Sequence, residues 1–332
     1  HYVRTEQFER KHAIAARLAD MVDCTKEELI ITRNTTESLD LVIAGYPWEE
    51  GDEAIMCAQD YGAMLDMFRQ QEERKGIRKI MIDLPNHPAN DEEIVRLYEN
   101  AITPRTKMIM VCHMINITGQ VLPPRKICAM AHQNGVEVMV DGAHAFAHIP
   151  VNVKQIGCDY YGASLHKWLS APLGSGLLYV KKDRIPHLWP LFAEAPRPKD
   201  DILRLNHTGT IPVHVDLGIE DAIDFYHWLG HERKEQRLRY LQQYWSEDLR
   251  KEDRMIVNSP QDPQRHCAIG NIGIEGVSPG KLAKTLLDQY DIWTVAINHP
   301  QVKGIRVTPN IFTQLTDLDR FKEAMLQIRN QS

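Results

Sequence analysis

Residues 138–180, VMVDGAHAFAHIPVNVKQIGCDYYGASLHKWLSAPLGSGLLYV, decide how the chain is read. Short apolar runs at 137–141, 158–162 and 175–180 are separated by Gly, Pro and Asn, which punctuate turns. The first run ends on Asp141, and Lys167 stands in SLHKW beside the last one. In an open α/β sheet, ligands bind in the crevice outside the carboxyl ends of the strands, and both residues fall there.

Working outward, further β-branched runs occur at 29–32, 53–58, 77–84 and 107–112. Helical patterns separate them at 36–44, 61–75, 91–100 and 125–133, the last closed by Asn134-Gly135, a stop signal. Strands alternating with helices predict an α/β fold with crossover connections. An amphipathic helix over 4–22 precedes this region. After Thr210 the texture changes to two long charged helices, 215–229 and 231–251. Strands near 255–258, 267–274, 293–298 and 304–307 follow, with a helix over 279–289 and a closing helix over 317–329 capped by Thr316. The expected domains are an N-terminal helix (1–24), a large domain (25–212) and a small C-terminal domain (213–332).

The 332 residues are 43% hydrophobic and 25% charged, which excludes a disordered or fibrous chain. A net charge of −6 leaves no broad cationic face, so neither a nucleic acid nor an anionic membrane is an expected partner. No apolar run approaches the roughly 18 residues of a spanning helix. The charged opening HYVRTEQFERKH is no signal peptide, and any address ahead of His1 would lie outside this sequence; cytoplasm is the expected compartment. The six cysteines lie far apart without a C-x-x-C pair, which argues against a disulfide scaffold or a metal site and predicts buried reduced thiols.

An acid and an amine at one sheet edge suit pyridoxal phosphate, whose aldehyde condenses with a lysine and whose ring nitrogen a carboxylate keeps protonated. The phosphate needs a cradle, and TRNTTES (32–38) offers Thr35 and Thr36 at the start of a helix. Ser164 and His166 flank Lys167 and can add donors. His113, His132 and His148 lack a ligand spacing and are expected to be solvated or locally bonded. The run HERKEQRLR (231–239) reads as a solvated helix face. GSG at 174–176 lacks the dinucleotide fingerprint and reads as a tight turn.

These residues resemble the class V aminotransferase-like pyridoxal-phosphate enzymes, which include cysteine desulfurases, selenocysteine lyases and isopenicillin N epimerases. The matching pieces are TRNTTES, CHMINITGQVLP, VDGAHAFAH, SLHKWLSAPLGSGLLYV, HTGT and RVTPNIFTQLTDLDRF, in family order. The resemblance implies fold type I of the pyridoxal-phosphate-dependent transferases, with a mixed, mostly parallel central sheet and a smaller C-terminal α/β domain. It makes Lys167 the Schiff-base lysine and Asp141 the partner of the ring nitrogen. Asn116 would bond the ring 3-hydroxyl, with His144 beside that oxygen as a catalytic neighbour, and Tyr61 would lie against the ring. Thr36, Ser164 and His166 would hold the phosphate. Thr210 would reach the phosphate of a second subunit, which implies a homodimer with shared active sites. Arg306 resembles the arginine that holds a substrate α-carboxylate.

Desulfurases of this family carry a nucleophilic cysteine shortly before that arginine. The region here, AINHPQVKGIR (296–306), has none. HKW, DGAHA-x-x-HIP and HTGT look closest to the isopenicillin N epimerase-like branch, although Ile211-Pro212 follows HTGT where many relatives have a charged residue. The expected activity is Cα–H abstraction from an α-amino acid leading to epimerisation. Carbon–sulfur β-lysis and transamination are the alternatives, and a non-catalytic cofactor-binding relative is the remaining reading.

Overall fold

The computed structural model describes residues 5–192, 197–207, 209 and 211–332. Two compact units are present: His1–Asp83 with Asn90–His113 and Leu122–Leu229, and Leu84–Ala89 with Met114–Val121 and Gly230–Ser332.

The first unit contains α1 (Glu6–Val22), β1 (Leu29–Thr32), α2 (Thr35–Gly45), β2 (Glu53–Cys57), α3 (Gly62–Lys75), β3 (Arg78–Ile82) and α4 (Asp91–Glu99). It continues with β4 (Thr106–Cys112), α5 (Pro124–Gln133), β5 (Glu137–Asp141), α6 (Val153–Ile156), β6 (Tyr160–Ser164), β7 (Gly176–Val180) and α7 (Val213–Leu229). The strands form one sheet in the order β1-β7-β6-β5-β4-β2-β3, in which β7 alone runs against its neighbours. Parallel strands need crossover helices, and helices on the sheet's faces bury its strands on both sides. Hence TKMIMVC and EVMVD are near-continuously apolar rather than alternating, and their residues are almost all buried. Leu39, Val42 and Ile43 of α2 pack with Met108, Met110, Met139 and Leu178 in the main core.

Helix α7 belongs to this unit, so the boundary falls after Leu229 rather than at residue 213. The reason is pairing with α1: Lys11 meets Asp216 at 3.0 Å, Arg10 meets Glu220 at 2.9 Å, and Arg17 meets Asp224. The N-terminal helix is therefore part of the large unit and not a separate element.

The second unit holds α8 (His231–Leu249), β8 (Met255–Val257), β9 (Gly270–Ile274), α9 (Pro279–Tyr290), β10 (Val295–His299), β11 (Val302–Val307) and α10 (Leu315–Gln331). Its four strands form a second sheet, β10-β11-β9-β8, antiparallel throughout. Leu241, Trp245, Ile272, Ile305, Phe321 and Met325 fill its core. The charged start of α8 is not wholly solvated: Lys234 is only 5% exposed, and burial pushes its ammonium pKa down to about 8. Helix α10 begins before Thr316, with Gln314 as N-cap in a capping box with Asp317.

Among the described residues, no helix is long and apolar enough to cross a membrane, and no His, Cys, Asp or Glu cluster has metal-binding geometry.

Candidate active site

Strand register sets two of the predicted residues, Asp141 and Ser164, at one edge of the first unit's sheet. Thr32, Gly176 and Ser164 are partners across β1, β7 and β6, while Gly162, Asp141 and Cys112 are partners across β6, β5 and β4. Asp141 thus ends β5 in the middle of the sheet and is 3% exposed. Its Oδ1 accepts the Ala143 N–H at 2.9 Å, and Oδ2 accepts no hydrogen bond among the described residues. Burial raises the Asp141 pKa above the usual aspartate range, opposed by the Ala143 N–H and by the charge of Lys167. The turn after Asp141 is tight because Ala145 and Phe146 both donate to the Gly142 carbonyl. A Cβ on Gly142 would lie 2.1 Å from the Tyr161 ring, so only glycine fits.

That turn carries His144, whose Nε2 lies 3.2 Å from Lys167 Nζ. Lys167 sits in the β6–β7 connection, which is folded by Leu165 N–H to Ser175 O, Ala171 N–H to Leu165 O and Ser175 Oγ to Pro172 O. His166, its neighbour, donates Nδ1–H to the Ser175 carbonyl at 3.0 Å. Burial lowers the His166 pKa, and the charge of Lys167 lowers it further.

The third group lies at the start of α2. Asn34 caps the helix by accepting Glu37 N–H at 2.9 Å, and Glu37 in turn accepts Arg33 N–H at 2.6 Å. Ser164 Oγ is 3.0 Å from Thr35 N and 2.7 Å from Thr35 Oγ1, tying the end of β6 to the helix N-terminus. Thr36 N–H donates to no group among the described residues. Helix N-termini present such amides to anions. Gly176 allows the approach: a Cβ there would stand 2.7 Å from the backbone of Asn34. Tyr61 precedes α3 as its N-cap and is exposed.

Asn116 and Arg306 belong to the second unit, where Arg306 Nη1 donates to Asn116 O at 3.4 Å. Asn116 lies in the turn closed by Gly119 N–H to Ile115 O, and Arg306 lies half-buried on β11. Thr210 lies outside the described residues. The segment 296–306 forms a tight hairpin, with His299 opposite Val302. All six cysteines are buried, as expected. Burial pushes the thiols of Cys24 and Cys267 up to about 12 and raises those of Cys112, Cys128 and Cys158 as well.

Two residues without an assigned role join the site. Trp168 Nε1 donates to His144 Nδ1 at 3.2 Å, and the Trp168 ring stacks on His148 at 3.7 Å. The signals were the four-residue spacing of the histidines in DGAHAFAH and the Trp directly after Lys167. His148 and His113 are both buried; His148 is locally bonded, one of the two expected outcomes, its Nδ1 donating to His144 O at 2.8 Å, and burial pushes His113 down to about 4. His132 pairs with buried Asp159 at 2.8 Å.

The fold and the site together define a pyridoxal-phosphate-dependent transferase fold of type I. The family model for aminotransferase class-V matches residues 3–299. The chain is 28% identical over 331 residues to isopenicillin N epimerase from Amycolatopsis lactamdurans, covering 94% of this chain and 83% of that protein. It is 28% identical over 362 residues to a probable cysteine desulfurase from Xylella fastidiosa (strain Temecula1), covering 99% of this chain and 82% of that one. Among solved structures, the cystine C–S lyase C-DES in complex with its product cysteine persulfide aligns with a TM-score of 0.88 at 20% identity, over 96% of this chain and 87% of that one.

The chain belongs to the aminotransferase class-V family. The family's cofactor is pyridoxal 5′-phosphate, and the residues present fit it. The unfilled Oδ2 of buried Asp141 suits a ring N–H, the Lys167 amine suits an aldehyde, and the Thr36 amide at the α2 N-terminus suits a phosphate. Arg306 lies beyond the matched span.

Proposed function

We propose that this protein is an enzyme that abstracts the Cα proton of an α-amino acid, with Lys167 as both cofactor attachment point and base. Isopenicillin N epimerase-like inversion is the first reading. The observation that carries the proposal is the Lys167–His144 contact at 3.2 Å on the same edge as buried Asp141.

When bound, pyridoxal phosphate supplies an electron sink for the pair of electrons left on Cα. The ionised Asp141 keeps the ring nitrogen protonated, the form in which the sink is effective. Thr35, Thr36, Ser164 and His166 would hold the phosphate and Tyr61 would lie against the ring, and Asn116 of the second unit would bond the 3-hydroxyl. With the cofactor bound, Nζ of Lys167 would be the base that takes the Cα proton. Arg306 holds the substrate carboxylate through its planar, permanently charged guanidinium. The assembly is a homodimer in which Thr210 serves the neighbouring phosphate, in cytoplasm.

Carbon–sulfur β-lysis is the second reading, and the hairpin at 296–306 bears on it. It carries no cysteine, and five of the six buried thiols have raised pKa values, so a departing sulfur would leave to solution rather than onto the enzyme. Transamination would require a keto-acid acceptor.

Borohydride reduction of the cofactor-loaded protein followed by peptide mapping tests the site. A pyridoxyl group on the Lys167 peptide, lost in Lys167→Ala, is expected; an adduct that persists in Lys167→Ala contradicts the assignment. Chiral analysis of amino-acid substrates then separates the two readings, since inversion alone marks an epimerase, whereas pyruvate or another keto acid with ammonia marks a lyase. Cofactor capture with neither product would leave a non-catalytic relative.

A further inference from the structure

We propose that Trp168 is a positioning residue that fixes His144 in one tautomer, with its proton on Nε2, making His144 a hydrogen-bond donor to Lys167 rather than a second base. An indole N–H donates and never accepts. With Trp168 Nε1 3.2 Å from His144 Nδ1, that ring nitrogen must present a lone pair. The neutral imidazole then carries its single proton on Nε2, which faces Lys167 Nζ at 3.2 Å. An N–H at Nε2 needs an acceptor, and a lysine nitrogen accepts only when unprotonated. An imidazolium would set an N–H of His144 against the indole N–H.

The indole is itself held. Trp168 is 6% exposed and lies flat on His148, with ring centroids 3.7 Å apart and planes 23° from parallel. His148, 1% exposed, donates Nδ1–H to the His144 carbonyl at 2.8 Å. The two histidines, four residues apart on one turn, therefore engage the indole differently: His148 takes its face and His144 takes its N–H. A tryptophan serving only as packing would need no imidazole nitrogen at its N–H.

The consequence for the reaction rests on the proposed role of Lys167. A His144 already protonated at Nε2 cannot take a proton through that atom, so of the two groups only Lys167 is available as base.

The test reads the tautomer in the cofactor-free protein, independently of whether the cofactor attaches to Lys167. Protein labelled with ¹⁵N-histidine is studied by long-range ¹H–¹⁵N correlation, with the His144 signals identified by their loss in His144→Gln. The expected wild-type pattern is a single neutral tautomer protonated at Nε2. Trp168→Phe keeps an aromatic ring over His148 but removes the donor, and its His144 should fall to a mixture of tautomers, the preference for Nε2–H dropping by about fivefold or more, the scale of one neutral hydrogen bond. A wild-type His144 protonated at Nδ1 or at both nitrogens overturns the proposal without any variant. An unchanged single tautomer in Trp168→Phe overturns it as well. Loss of the borohydride adduct at Lys167 would instead defeat the functional reading and leave this result standing.

Discussion

Asp141 is held where ionisation is costly, because its carboxyl is buried and receives one N–H. Below the usual aspartate range the group is neutral in both the folded and unfolded chain. Its raised native pKa means that stability is lost as pH rises through that value, since the unfolded chain then releases the proton more readily. In the cofactor-free protein, Asp141→Asn removes this loss, so the melting temperature of the variant relative to wild type should climb from acid to neutral pH. A gap that stays constant with pH would contradict this. The same change should weaken cofactor binding by about 3–5 kcal/mol, the scale for deleting one partner of a buried ion pair. Titration of the cofactor's visible absorbance measures it. Asp141 and Lys167 were legible in the sequence because few chemistries need that pair at strand ends. Trp168 and His148 were not, because their role follows from a turn that folds a histidine onto an indole 20 to 24 residues away.

At the scale of elements, the strands and helices of the first unit other than the short α6, for which none is expected, fall within a few residues of their expected limits, since short β-branched runs and longer helical patterns alternate there with clear stops. Two misassignments had physical causes. Helix α7 was given to the small domain on its charged texture, but those charges pair with α1. Thr316 reads as a cap because threonine is a common one, whereas Gln314 and Asp317 form the capping box, with its N-cap two residues earlier. The close approach of β7 to Asn34 was invisible in sequence, since GSG reads equally well as a plain turn. It yields a sharp expectation. In Gly176→Ala the new Cβ meets backbone, which cannot rotate away, so the fold should lose about 1–3 kcal/mol and the start of α2 at Thr35 and Thr36, where we propose the phosphate binds, should shift. Chemical denaturation together with cofactor titration checks both effects; a variant with wild-type stability and affinity would show that β7 does not brace α2.

For the whole molecule, the first unit holds a buried acid, an amine and a helix start on one sheet edge, and within the second Arg306 meets Asn116. The family and fold follow from this chain's sequence and architecture. The choice between inversion and elimination depends on the substrate side chain, which no single residue here dictates. In the proposed function, Lys167 removes the Cα proton of an amino acid. Incubating the cofactor-loaded protein with a panel of amino acids in deuterated water, and following mass, chirality and keto-acid release, tests it most directly. Deuterium is expected at Cα of at least one amino acid, with exchange abolished in Lys167→Ala. Exchange that survives in Lys167→Ala, or none with any amino acid in a protein whose Lys167 carries the cofactor, would contradict it.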